Sequence, residues 1–96
     1  MKAELYYRGI ETKFIGPTNH KGSRISVRWS DGDGDRKIYA WKSEFGPEKN
    51  HTEAAMRFYQ EVSDWKENNE ETRKKTHLQG AWTKRGAVFC IRFDNR

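Results

Sequence analysis

The chain has 96 residues, 33% hydrophobic, 14% aromatic and 34% charged, with a formal net charge of +5 and one cysteine. That length suits one domain and is too short for two independent cores, and a lone cysteine excludes an intrachain disulfide. No stretch approaches the roughly 18 consecutive apolar residues of a membrane-spanning helix, and Met1-Lys2-Ala3-Glu4-Leu5-Tyr6-Tyr7 lacks an apolar run of signal-peptide length, so a cytoplasmic protein with no membrane partner is expected.

In chain order, Glu4 to Arg8 and Glu11 to Ile15 read as short strands, the second ended by Gly16-Pro17. From Arg24 to Ser30, Ile25, Val27 and Trp29 alternate with Arg24, Ser26, Arg28 and Ser30, the period of two that a half-buried strand requires. Asp31-Gly32-Asp33-Gly34-Asp35 then predicts a hairpin turn into a strand over Arg36 to Lys42. After Gly46-Pro47, Asn50 and Glu53 have the spacing of an N-cap and its capping-box partner, so a helix is expected to begin there. Ala54, Ala55, Phe58, Val62 and Trp65 recur every three or four residues as its apolar stripe, with Glu53, Arg57, Glu61 and Asp64 facing water. The helix should fray near Asn68-Asn69. Glu70 to His77 is a charged connector, and Leu78 to Thr83 and Ala87 to Phe93 form a second hairpin around Lys84-Arg85-Gly86.

The expected class is therefore α+β, with the order (β)-β-β-β-α-β-β: an antiparallel sheet of four to five strands and one amphipathic helix on one face. The core candidates are large rings, Trp29, Trp41, Phe58, Trp65, Trp82, Phe89 and Phe93, because aromatics bury more area per residue than aliphatics. Cys90, between Phe89 and Ile91, reads as a buried strand cysteine.

Charge is unevenly spread. Glu53 to Glu71 holds six acidic residues against two basic ones, so the rest of the chain is more cationic than its mean, a separation that favours an anionic partner on one face. Asp31-x-Asp33-x-Asp35 imitates half of a calcium loop, but Arg36 stands where that loop needs Gly and Lys42 where it needs Glu. His20, His51 and His77 have no His or Cys neighbour at metal-ligand spacing, so neither metal nor cofactor is expected. Ser23 near His20 needs no more than a polar loop to explain it, and no set of nucleophile, base and orienting acid stands out, so a non-enzymatic protein is expected.

Three segments carry the binding candidates. The loop Gly16 to Arg24 combines glycines with Asn19, Lys21, Ser23 and Arg24, the small groups and cations that phosphate binding uses; equally, Gly16, Pro17 and Gly22 shape a connection that Asn19 closes on its own backbone. Arg24 and Arg28 share the wet face of their strand; with Arg36 or Lys42 across the hairpin that face becomes a cationic plate, and Tyr39 or Trp41 would add a ring for stacking against nucleic acid or a nucleotide. Arg73, Lys74 and Lys75, and Lys84 and Arg85 in the last hairpin, are further cations for the same ligand.

The segment Phe14-Ile15-Gly16-Pro17-Thr18-Asn19-His20-Lys21-Gly22-Ser23-Arg24-Ile25, followed by His51-Thr52-Glu53-Ala54-Ala55, resembles small phage-type proteins with a Gly-Pro-Thr-Asn-x-x-Gly-Ser-Arg-Ile segment. The likeness covers residues 12 to 65, with a looser match from Trp82 to Phe89. It supplies no catalytic residue. What it implies is an accessory protein of a phage acting in the host cytosol, in counter-defence or host takeover. Two modes of action follow as expectations: engagement of an anionic ligand, nucleic acid or a nucleotide signal, by the basic sheet and loop; or blocking of a host effector protein by the acidic helix or exposed aromatics. A small hydrolase or transferase is the third.

Overall fold

The computed structural model describes residues 1, 3, 9–32, 34–62 and 76–93, and within these the chain runs β1 (Gly9–Ile15), β2 (Arg24–Trp29), β3 (Arg36–Ala40), α1 (Pro47–Val62), β4 (Thr76–Trp82) and β5 (Gly86–Phe93). The expected strand over Glu4 to Arg8, the helix end at Trp65 to Asn69, and the side chain of Phe93 lie outside the described residues. All strands pair antiparallel in one sheet of order β3-β2-β1-β5-β4. The α+β class and the single helix on one face are as the alternation and the helical stripe predict. No helix among the described residues is long and apolar enough to cross a membrane.

Strand alternation divides the sheet into two unlike faces. Ile10 and Thr12 of β1, Ile25, Val27 and Trp29 of β2, and Ala87 and Phe89 of β5 are buried under α1, whose Ala54, Ala55 and Phe58 complete the core. The two alanines bring the helix close over β1 and β2, and Phe58 then meets Trp29 edge-on at 5.2 Å. The helix leans toward β3 at its C-terminal end. There the Tyr39 hydroxyl donates to Glu61 at 2.8 Å and the Arg57 guanidinium stacks 4.6 Å from the Tyr39 ring. Toward β4 it leaves a cleft, lined by Met56 and Tyr59 on α1 and by Leu78 and Phe89 on the sheet.

Two local expectations are corrected. The helix starts at Pro47, three residues before Asn50, because proline fits the first helical position, where an N–H would lack a partner anyway. Asn50 is instead a buried clamp: its Oδ1 accepts from Lys42 N at 2.9 Å, and its Nδ2 donates to the carbonyls of Lys42, Phe45 and Gly46 at 2.9, 3.3 and 3.2 Å. Trp82, expected in the core, is 59% exposed, because it lies on the edge strand β4, which α1 covers only in part. Trp41 is half-buried, packed edge-on against Phe14 at 4.9 Å.

The β2–β3 connection has the glycine geometry its sequence predicts, with Gly32 at φ 80° and Gly34 at φ 87°. Asp33 lies outside the described residues, and among those residues no group of three His, Cys, Asp or Glu side chains gathers as a metal site.

Candidate functional site

Among the described residues, the face opposite α1 gathers a group of cations. Antiparallel register sets Arg28 of β2 opposite both Glu11 of β1 and Arg36 of β3, and sets Lys13 of β1 opposite Ser26 of β2 and Gly86 of β5. The β4–β5 turn adds Lys84 and Arg85 beside Lys13. Together with Ser30, Thr83 and Val88 these residues line a basin of about 710 Å³ that spans four strands. Five cations face it and one carboxylate, Glu11, whose Oε1 lies 3.6 Å from Arg28 Nη2. Among the described residues no other element packs over this face.

Gly86 makes that geometry possible. A Cβ added to it would lie 1.9 Å from the Thr12 carbonyl oxygen, so only glycine lets the turn bring Lys84 and Arg85 against β1.

The sequence-predicted residues divide accordingly. Arg28, Lys84 and Arg85 meet in the basin, joined by Arg36 as the hairpin argument anticipates and by Lys13, which that argument omits. Arg24 shares the face but stands beyond the basin, opposite Ile15 and Ala40, half-buried, its Nε shielded without a hydrogen bond. Lys42 is on the other side of the protein, its Nζ 5.3 Å from the Phe45 ring, in a small pocket with Lys49 and Arg57. Tyr39 and Trp41 also belong to the helix side and add no ring to the basin. Arg73, Lys74 and Lys75 lie outside the described residues.

The loop with Asn19, Lys21 and Ser23 is exposed apart from the half-buried Ser23, and is closed by Thr18 rather than Asn19. The Thr18 hydroxyl accepts from the backbone N–H of His20 at 3.3 Å and of Lys21 at 3.0 Å, while Thr18 N donates to the Lys21 carbonyl at 2.8 Å. Those donors are thereby turned inward. Neither Gly16 nor Gly22 has the positive φ from which an anion-binding nest of successive N–H groups is built.

Cys90 is half-buried on the basin side of β5, opposite Gly9 and Gln79, because alternation sends its apolar neighbours Phe89 and Ile91 to the other face.

A second polar cluster lies under the helix. His51, 4% exposed, meets Thr12 Oγ1 through Nδ1 at 2.6 Å, and Trp41 and Trp82 press edge-on against its ring at 5.7 and 5.2 Å. The Thr12 hydroxyl is also 3.4 Å from the Ala87 carbonyl. Burial pushes the imidazole below its ordinary range, toward the neutral form. His51 also borders a pocket of about 290 Å³ with Glu48, Thr52, Gly80 and Trp82. Sequence reasoning passes over this pair, although His51 continues the stripe of Ala54, Ala55 and Phe58 backward at a spacing of three or four.

Near the helix end, hydrogen bonding from Tyr39 holds the Glu61 carboxyl below its usual range, and burial and Glu61 together push the Tyr39 hydroxyl up. Each of these groups is occupied with the other. Of the pockets among the described residues, the basin gathers the most cations, five against three in the pocket of Lys42, Lys49 and Arg57. Comparison with protein-family models, with curated proteins and with solved structures finds no match for this chain.

Proposed function

We propose that this protein is a non-enzymatic nucleic-acid-binding protein that holds phosphates in the basin formed by Lys13, Arg28, Arg36, Lys84 and Arg85. The observation that carries the reading is the sorting of these five cations onto one open sheet face from four separate segments, with a single carboxylate among them. Cations so gathered raise the local concentration of a polyanion and release its counterions on contact. The breadth of the basin favours a polymer over a mononucleotide. In a phage-type accessory protein, such binding would serve counter-defence or host takeover by occupying nucleic acid that a host factor needs.

The test is fluorescence anisotropy with labelled nucleic acid and, separately, a labelled mononucleotide, on the parent chain and on an Arg28→Glu, Lys84→Glu variant. Binding of the polymer that weakens steeply from 50 to 200 mM salt, and that the folded variant loses, is the expected result. A variant that binds as well as its parent overturns the proposal. So does a parent that binds no nucleic acid at low salt yet retains a host protein after nuclease treatment, the result the protein-blocking mode requires.

A further inference from the structure

The cleft between α1 and β4 combines a buried imidazole with an open aromatic ring and a carboxylate. On α1, Glu48, Thr52 and Met56 recur every fourth residue and so share one side of the helix; on β4, Leu78, Gly80 and Trp82 alternate onto the side of the sheet that faces it. Between them lie two adjoining cavities, of about 290 and about 230 Å³, that share Thr52, Leu78 and Phe89. Glu48, His51 and Trp82 line the larger, Met56 and Tyr59 the smaller. The cleft thus has a polar end and an apolar one.

At the polar end, His51 is 4% exposed. Its Nδ1 is 2.6 Å from the Thr12 hydroxyl, which is also 3.4 Å from the Ala87 carbonyl. A hydroxyl has a single proton to give. The arrangement that satisfies both contacts gives it to the carbonyl and has the same oxygen accept from Nδ1–H, so Nε2 carries a bare lone pair. With Nδ1 taken, Nε2 is the ring nitrogen that the cavity offers to a ligand. An acceptor on so buried a side chain costs free energy unless something donates to it. Trp82 presents an exposed ring of the type that attracts cations most strongly, and Glu48 adds a negative charge. Burial holds the imidazole neutral, so it does not oppose a cation. We infer that this cleft binds a small organic amine in its protonated form, the ammonium group donating to His51 Nε2 beside Glu48 and Trp82, and the hydrocarbon body resting on Met56, Tyr59 and Leu78. The site lies on the helix side of the sheet, away from the cationic basin, and does not depend on the nucleic-acid reading.

The experiment is heteronuclear NMR of the imidazole nitrogens, with the protein titrated at constant ionic strength by n-butylammonium and, separately, by its neutral counterpart n-butanol. Expected are an unprotonated Nε2 on His51 in the free protein and a saturable shift of that nitrogen with the ammonium, at an affinity at least about 5-fold above that of the alcohol. Glu48→Gln and Trp82→Ala change exposed side chains, and circular dichroism confirms their fold. Each should weaken the ammonium about 2- to 5-fold, and Glu48→Gln should leave the alcohol unchanged. A protonated Nε2 in the free protein, an Nε2 signal that the ammonium does not move, or equal affinity for amine and alcohol overturns the inference. So do folded variants that both bind the ammonium as well as the parent does.

Discussion

Arg36→Glu should make the protein more stable and a poorer ligand-binder at once. Arg28 and Arg36 are cross-strand partners on the same face, and Arg28 is already matched on its other side by Glu11. Like charges directly opposite in an antiparallel pair destabilise it, and opposite charges contribute about 0.2–1 kcal/mol. Exchanging one for the other should therefore gain about 0.5–1.5 kcal/mol at low salt, less as salt screens these exposed groups. For a domain of this size that is a rise in melting temperature of about 2–12 °C. Binding moves the other way. A phosphate contact whose whole contribution is counterion release is worth a factor of about 8 at 0.1 M salt, and the new carboxylate adds repulsion, so affinity for nucleic acid should fall at least about 10-fold. Thermal unfolding followed by circular dichroism gives the first quantity and anisotropy the second. A melting temperature that falls would refute the placement of the two arginines on one face. One that rises with binding unchanged would mark Arg36 as solvated surface and the basin as no site.

Asn50→Ala should cost about 2–4 kcal/mol in urea unfolding, since it removes two bonds of 2.9 Å and strands the Lys42 N–H beside a buried position, and a loss under about 1 kcal/mol would contradict the clamp. The pH dependence follows from His51. Its folded imidazole is held below the ordinary 6.5, so the unfolded chain takes up that proton first as pH falls. Stability present above about pH 6.5 is then lost below it, with a slope of at most about 1.4 kcal/mol per pH unit from this group. His51→Gln should flatten the profile between pH 7.5 and 5.5, and an unchanged slope would count against the burial of that ring as its cause.

Period-two alternation from Arg24 to Trp29 and the run of Ala54, Ala55 and Phe58 carry local information, and the strands and the helix face follow from them directly. The Asp31 to Asp35 turn is equally local, and its length is what puts Arg36 across from Arg28. The pairing of β1 with β5 is not local in that sense. It brings Lys13 beside the β4–β5 turn and Thr12 under His51, and no residue near Thr12 in the chain announces either. Gly86 reads in the sequence as an ordinary turn glycine, whereas its necessity comes from the Thr12 carbonyl of a distant strand. The start of α1 at Pro47 rather than Asn50 rests on contacts outside the helix: the carbonyls of Lys42, Phe45 and Gly46 take the Asn50 amide, so that residue serves the loop instead of capping the helix.

Because β1 occupies the middle of the sheet, the fold has a seam. On one side lie the three strands β1, β2 and β3, each joined to the next by a short connection; on the other lies the β4–β5 hairpin. Thr12 and Ala87, which face each other across it, are 75 positions apart in the chain. Each part can assemble on its own from near neighbours, but closing the seam requires a long loop whose entropy cost comes before any contact across it is made. The basin straddles this line, with Arg28 and Arg36 on one part and Lys84 and Arg85 on the other. Ligand competence thus requires the two parts to be joined, and a polyanion laid across both would act as a strap over that seam. Chains nicked between α1 and β4 should be held together by it.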